Sequence, residues 1–419
     1  MTMQKTLYVC YQNKLVGTLA LQGKVPFHFA YAPQWLDAPD AFAISRSLPL
    51  QRDPFSYEAT LAFFDNLLPE ERTRHTIERT LQVSKSNTFA LLRELGGECA
   101  GALSIVTAPN CHTAPSEAPG YEEVQHKQLS ALLELIPQRP LLAGEDGMRL
   151  SLAGAQPKLP ILYAEGRCYL TRNNAPSSHI LKPPIADLAE SAENEAFCMF
   201  LARAVGIDAP FAKLIHTRPR AYLVERYDRR YSPSGIERIH QEDFCQAMGI
   251  PSAAKYEREG GPCLHDCFTL LDECRNPQED KAKLLALVVY NYLIGNADAH
   301  AKNLSLLYDD GQKPRLAPAY DLLCTRVYDG LATNMAMKIG GSYDPDFIDK
   351  KRWLRLASLA ALTDDEGLSR VEQHTKRLLA NASIAADVFC ETYGESPIVR
   401  RIVRLALQRC NTTLERLQR

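Results

Sequence analysis

No stretch of this chain approaches the roughly 18 uncharged apolar residues of a membrane span. The first fourteen residues hold no apolar run ending in a small-residue cleavage site. The expected location is therefore the cytoplasm, with no membrane partner. An excess of charge of one sign is also missing: 48 basic against 50 acidic residues leave a net charge of −2. No global field draws the chain to nucleic acid. Internal repeats of fixed period are absent.

A paired cysteine framework is absent as well. Twelve cysteines are scattered from Cys10 to Cys410, and in a reducing compartment they are expected to be free thiols. Cys263, Cys267 and Cys274, with His265 among them, match no zinc spacing. What is present is ordinary globular material. The 419 residues are 46% hydrophobic and 23% charged, enough for two domains or one domain with a large extension.

The first unit is expected to span residues 1–108. Thr6 to Cys10 and Leu15 to Leu21 read as a hairpin, Pro54 to Leu68 and Thr88 to Leu95 as helices, the latter ended by Gly96-Gly97. Three prolines between residues 108 and 120 read as a linker. Short strand-like runs follow at Leu159 to Leu162, Cys168 to Leu170, His179 to Lys182 and Ala221 to Glu225. Helical periodicity then dominates, at Lys281 to Ile294, Arg352 to Leu362, Leu368 to Leu379 and Val399 to Leu417. Strands first and helices second predict a two-lobed α+β architecture, divided as 1–108, 109–228 and a helical 229–419.

The chemistry gathers at polar loops between apolar elements. Asp298 and Asn303 stand five positions apart after the apolar helix, the spacing of a kinase catalytic loop, in which the carboxylate takes a hydroxyl proton and the amide oxygen serves Mg²⁺. Asp321, 18 residues on, supplies a further hard oxygen ligand. A capped turn gives the same Asp–Asn pattern. Ser151 to Leu159 holds small residues that let backbone amides approach a phosphate, with Lys158 adding charge; a plain hairpin turn is the other reading. Lys182 ends an apolar strand where it can clamp phosphates, or is simply solvated. Glu193 or Glu195 in the next helix could pair with it, or both could favour the helix N-terminus. Tyr222 to Arg229 reads as a hinge between lobes or as an edge strand with a turn. The order of these parts, loop, strand lysine, hinge, Asp-x4-Asn, then Asp, is that of a protein kinase.

Ser151-Leu152-Ala153-Gly154-Ala155-Gln156-Pro157-Lys158, Val224-Glu225-Arg226-Tyr227-Asp228-Arg229, Asp298-Ala299-His300-Ala301-Lys302-Asn303 and Tyr320-Asp321 resemble the HipA family of toxin kinases. Asn66 to Glu70 and Gly96 to Ala102 resemble its N-terminal portion, so the likeness runs over nearly the whole chain. The resemblance implies a two-lobed protein-kinase-like fold, distantly phosphoinositide-kinase-like, acting as an ATP- and Mg²⁺-dependent serine/threonine kinase. It implies Asp298 as catalytic base and Asn303 and Asp321 as Mg²⁺ ligands. ATP would be held by the phosphate loop of Ala153, Gly154, Ala155, Gln156 and Lys158, by Lys182, by Glu225 and Tyr227 at the adenine, by Asp228 at the ribose, and by His300, Lys302 and Tyr320. Ser151 would be the autophosphorylation site that silences the enzyme. Pro157 departs from the acidic residue of the best-known member, which removes a charge beside the phosphates.

The resemblance further implies an aminoacyl-tRNA synthetase as substrate, a HipB-like helix-turn-helix antitoxin as partner, and operator DNA reached only through that complex. Arg400, Arg401, Arg404 and Arg409 could touch DNA phosphates; a solvated helix face is the preferred reading. A catalytically silent co-repressor and a small-molecule or lipid kinase are the competing functions. The intact Asp298, Asn303, Asp321 and Lys182 speak against the first, and the absence of a basic membrane-facing patch against the second.

Overall fold

The computed structural model describes residues 5–22, 25–109, 111, 120–233, 235–309 and 313–419. Most of the proline-rich 108–120 segment thus lies outside the described residues. Among the described residues fifteen strands run in chain order: β1 Thr6–Tyr11, β2 Lys14–Gln22, β3 Val25–Tyr31, β4 Leu103–Val106, β5 Gly120–Val124, β6 Leu159–Ala164, β7 Arg167–Arg172, β8 His179–Lys182, β9 Ala212–Ile215, β10 Ala221–Glu225, β11 Arg229–Ser232, β12 Gly235–Arg238, β13 His240–Asp243, β14 Ser305–Tyr308 and β15 Arg315–Leu316.

They form four sheets. The first, β3-β2-β1-β4, belongs to the N-terminal unit. The second, β5-β7-β6-β8-β10-β9, is the sheet of the upper lobe. A small ribbon, β11-β12, follows, and β13-β14-β15 belongs to the helical lobe, with the loop of Asp298 and Asn303 leading into β14. The architecture is α+β with two lobes, as expected.

Two hydrophobic cores hold the chain together, and β10 separates them. Ala221 and Leu223 face the N-terminal core; Tyr222 and Val224 face the helical core. Successive strand side chains point to opposite faces, so four residues wall both lobes at once. A buried strand of this kind reads as continuously apolar rather than alternating, which is how Tyr222-Leu223-Val224 stands in the sequence.

Helix ends follow local chemistry. The helix expected over Pro54 to Leu68 is shorter, Tyr57–Phe64, because Ser56 caps it. It tightens into a single turn, Asp65–Leu67, and Leu68 is extended, as the residue before Pro69 must be. Conversely, the helix before the Asp298 loop begins earlier than its apolar pattern, at Pro277. Proline suits the first helical position, and the polar first turn hid the start. The last two helices, Asp364–Tyr393 and Pro397–Gln418, pack antiparallel under the lobe.

One expectation is corrected. Cys10 and Cys111 are joined by a disulfide, with Cα atoms 5.8 Å apart. Strand β4 pairs with β1 so that Ser104 lies opposite Cys10, and the chain leaving β4 carries Cys111 alongside. The pairing depends on sheet register, which cysteine spacing alone does not reveal. The other ten cysteines are free thiols.

Glu242 on β13 joins the N-terminal unit to the helical lobe. Its buried carboxylate accepts from Ser45 Oγ, the Arg46 amide and Tyr308 Oη. Burial pushes its carboxyl up to about 7, and these three bonds fail to cancel that. A raised carboxyl binds its proton in the folded state first, so charging it weakens folding as pH rises toward 7. The penalty is roughly 3 kcal/mol at most. The Glu242→Gln variant should therefore gain thermal stability relative to the parent between pH 5 and pH 8. A difference in Tm that is flat across that range would refute the assignment.

Candidate active site

A cleft of about 600 Å³ lies between the lobes. Its walls bring together Lys158, Lys182, Asp298, His300, Asn303 and Asp321, residues up to 163 positions apart in the chain.

Lys182, the last residue of β8, is the electrostatic centre. Its Nζ donates to Glu195 Oε1 at 2.6 Å and to Asp321 Oδ1 at 3.0 Å. Burial works against its charge, but Glu195 and Asp321 outweigh it and hold the ammonium protonated. The choice between the two glutamates is settled: Glu195, in the helix Ser191–Ala204, takes Lys182, while Glu193 faces Arg220 at 3.4 Å.

Asp321 sits in a left-handed backbone conformation, φ 57°. A non-glycine residue pays strain there, and such strain collects at functional sites. Burial alone would raise its carboxyl, but Lys182 and Lys158 hold it down at about 2. It is an anion poised for a cation.

The candidate catalytic loop leaves the helix Pro277–Ile294 through Gly295, whose φ of 76° ends the helix. Asp298 lies in the turn beyond. Burial pushes its carboxyl up to about 6, which leaves it ionised at neutral pH yet basic enough to accept a proton. Tyr256 Oη donates to its Oδ1 at 2.9 Å. Asn303 Nδ2 donates to the Asp298 carbonyl at 3.2 Å, which orients the Asn303 amide and leaves its oxygen as the free acceptor. His300 packs edge-on against Tyr256 at 5.0 Å. Its buried Nδ1 has no hydrogen-bond partner among the described residues, and burial lowers its imidazole to about 4, so the ring is neutral.

The segment Ala153 to Lys158 is seated in the cleft. Gly154 has φ 107°, and a Cβ there would lie 2.7 Å from Lys158 Nζ, so glycine serves both backbone and approach. Lys158 Nζ donates to the Ala153 carbonyl at 2.6 Å, and burial with the Lys182 charge lowers it to about 8. Ala155 and Gln156 line the same wall. Ser151 is fully buried and donates to the Leu67 carbonyl at 2.7 Å.

At the hinge, Glu225 ends β10 and is exposed. The Tyr227 ring stacks on Tyr320 with centroids 5.6 Å apart, and Tyr320 Oη donates to the Lys302 carbonyl at 2.8 Å. Two of the residues expected at the nucleotide also make internal ion pairs. Asp228 accepts from both nitrogens of the Arg226 fork at 3.0 and 2.7 Å and from the Gly101 amide at 2.7 Å, and pairs with Arg229 at 3.0 Å. It also lines the cleft. The Lys302 ammonium is likewise engaged, on Asn66 Oδ1 at 2.6 Å and Asp243 Oδ2 at 2.7 Å. It lines the cleft with its stem and braces the N-terminal unit with its head.

Tyr256 was invisible in the sequence, since it stands in a loop without periodicity. Among the tail arginines, Arg409 lies over the Tyr292 ring at 5.1 Å and donates to the Tyr292 carbonyl. Arg400 is paired with Asp387 and Glu395. Arg401 and Arg404 are exposed.

Two family models match this chain, the HipA N-terminal domain over residues 7–106 and the HipA-like C-terminal domain over residues 150–383. The chain belongs to the HipA family. A candidate kinase of Sinorhizobium fredii, Y4mE, is 41% identical over 91% of this chain and 91% of its own length. The serine/threonine-protein kinase toxin HipA of Shewanella oneidensis is 32% identical over 87% of this chain and 84% of its own. The HipA-like fold extends over the whole chain: a solved structure of the Shewanella oneidensis HipA, HipB and operator DNA complex superposes with a TM-score of 0.83, at 27% identity and 98% coverage of both chains. Among the described residues no helix is long and apolar enough to cross a membrane.

Proposed function

We propose that this chain is a serine/threonine protein kinase, the toxin of a toxin–antitoxin pair, with Asp298 as catalytic base. The observation that carries the reading is Lys182 bridging Glu195 and Asp321 in the cleft that also holds Asp298 and Asn303.

The residues fit Mg²⁺. Among the described residues no three His, Cys, Asp or Glu side chains gather as a metal site, but Mg²⁺ needs only one or two protein oxygens beside phosphate and water. Asp321 and the free amide oxygen of Asn303 would supply them, and the bound ion would neutralise charge on the phosphates. Lys158 and Lys182 bind the phosphates of ATP, with Ala153 to Gln156 closing over them. Tyr227 and Tyr320 form an aromatic wall near Glu225 for the adenine. Asp298 takes the proton of a serine or threonine hydroxyl as its oxygen attacks the γ-phosphorus and ADP leaves. The shape of the cleft does most of this by placement and charge.

The partner is a HipB-like antitoxin, since the Shewanella relative forms a complex with HipB and operator DNA. DNA contact belongs to that complex, where exposed Arg401 and Arg404 could contribute. The substrate class is an aminoacyl-tRNA synthetase, modified in the bacterial cytoplasm to stop translation. Complete catalytic machinery speaks against a silent co-repressor.

Ser151 is the autophosphorylation site. Its hydroxyl is buried on Leu67, so the loop must leave its seat before phosphate is added. The phosphate's charge of roughly −1.5 to −2 then keeps the loop out of an ATP site.

Incubation with ATP and Mg²⁺ in a bacterial extract, followed by phosphopeptide mapping, tests the whole reading. New phosphate is expected on a synthetase and on Ser151, and Ser151→Ala should lose self-labelling while keeping transfer to protein. An unlabelled synthetase removes the substrate class; self-label elsewhere removes the Ser151 assignment; no transfer at all removes the kinase.

A further inference from the structure

Tyr256 belongs to no motif, yet its hydroxyl meets the proposed base. It donates to Asp298 Oδ1 at 2.9 Å, occupying one of the two carboxylate oxygens. Its backbone is pinned: the Tyr256 carbonyl accepts from the amides of Glu259 and Gly261, both at 2.9 Å. The turn closes only because residue 261 is glycine, where a Cβ would lie 2.1 Å from the Ala254 carbonyl oxygen. The ring edge is held against buried His300. A tyrosine fixed at backbone, ring and hydroxyl is a stationary part of the site.

The neighbouring residue ties this part to the phosphate loop. Lys255 Nζ donates to Glu70 Oε2 at 2.7 Å and to Glu71 Oε1 at 3.3 Å, and lies 5.3 Å from the Tyr256 ring centre. The Glu70 amide in turn donates to the Gly154 carbonyl at 3.2 Å, beside a parallel bridge between Pro69 and Gly154. Thr73 Oγ1 donates to the Ala155 carbonyl. An unbroken run of contacts therefore links Gly154, Glu70, Lys255, Tyr256 and Asp298.

We infer that Tyr256 is a positioning residue for the base. Its hydroxyl fixes Asp298 Oδ1 and so presents the second oxygen to the incoming hydroxyl, and the Glu70–Lys255 pair makes that alignment depend on a seated phosphate loop. This rests on the reading of Asp298 as base. The loop that binds the nucleotide thereby aligns the group that accepts the proton, and a displaced loop loosens both. Tyr256 touches no reacting atom; it acts through Asp298.

The test uses the full chain and [γ-³²P]ATP with Mg²⁺, reading label in the chain itself and in added casein, alongside binding of a fluorescent ATP analogue. Tyr256→Phe should lower the maximal transfer rate about tenfold or more, while analogue affinity and half-saturating ATP stay within about twofold. Incorporation of 3-fluorotyrosine at 256, which keeps the hydroxyl, should restore the rate. Glu70→Gln should lose rate in the same direction, and the double variant should fall no further than Tyr256→Phe alone, as residues of one unit do. A Tyr256→Phe chain that transfers at the parent rate overturns the inference, and so does one that loses nucleotide binding in step with rate. If Tyr256→Phe does not fold, Glu70→Gln decides: an unchanged rate overturns the inference. A parent chain that transfers no label instead overturns the kinase reading on which the inference rests.

Discussion

Asp298→Asn should lower phosphoryl transfer by roughly 10²–10⁴-fold, the range of a lost general base, with the fold and nucleotide binding intact. Asparagine keeps the shape of the side chain and can still accept from Tyr256 Oη, which holds Oδ1 at 2.9 Å. The backbone carbonyl that Asn303 grips also stays in place. What disappears is the negative charge and the proton-accepting oxygen. The carboxyl that burial has raised to about 6 sits near the pH at which it works, so its loss falls on the chemical step. Initial rates of ³²P transfer, set against affinity for a fluorescent ATP analogue, check this. Transfer within a few-fold of the parent would show that another group accepts the proton.

The juxtaposition of Asp298 and Asn303 was legible because it is local. They stand in one loop, five residues apart, and the helix before them announces itself by its apolar face. Lys182 and Asp321 were legible as an order of parts, and the strand His179–Lys182 carries its lysine where the apolar run ends. Choosing Glu195 over Glu193 was beyond the sequence, since both lie in the first turns of the same helix and only its rotation against β8 decides. Tyr256 was illegible for a related reason. It reaches the base across 42 residues from a loop pinned by short-range turns, and neither hydrophobic period nor motif marks such a position. The disulfide between Cys10 and Cys111 depends on the register of β1 against β4, another property of pairing rather than of spacing. Asp228 shows what a motif leaves unsaid. Its position suggested a ligand role, and the fold adds two arginines and a backbone amide around the same side chain.

That same cluster makes Glu98→Gln the most destabilising single change expected outside the catalytic machinery. Glu98 is completely buried, and its Oε1 accepts from Ser177 N at 2.7 Å, Ser177 Oγ at 2.9 Å and Arg229 at 2.8 Å, with Arg226 at 3.4 Å. Both guanidinium groups are themselves buried, and among the described residues Asp228 is the other carboxylate paired with them. Burial disfavours the Glu98 anion, but Arg226 and Arg229 outweigh this and hold its carboxyl below the usual range. Glutamine fills the same space and retains an oxygen for Ser177, so packing is preserved. Two cations then face one anion in a medium that water does not reach. Removing one member of a buried ion cluster costs about 3–5 kcal/mol, because the charge left behind has no partner. The loss also has a direction in the fold. Glu98 and Gly101 belong to the N-terminal unit, whereas Arg226, Asp228 and Arg229 follow β10 at the hinge. Chemical denaturation should therefore show the N-terminal unit loosening first, with near-ultraviolet signals from its aromatic cluster around Phe29 and Trp35 lost ahead of helical ellipticity. A change below about 1 kcal/mol, the scale of an exposed pair, would mean that water reaches this cluster and that it does not hold the N-terminal unit to the hinge.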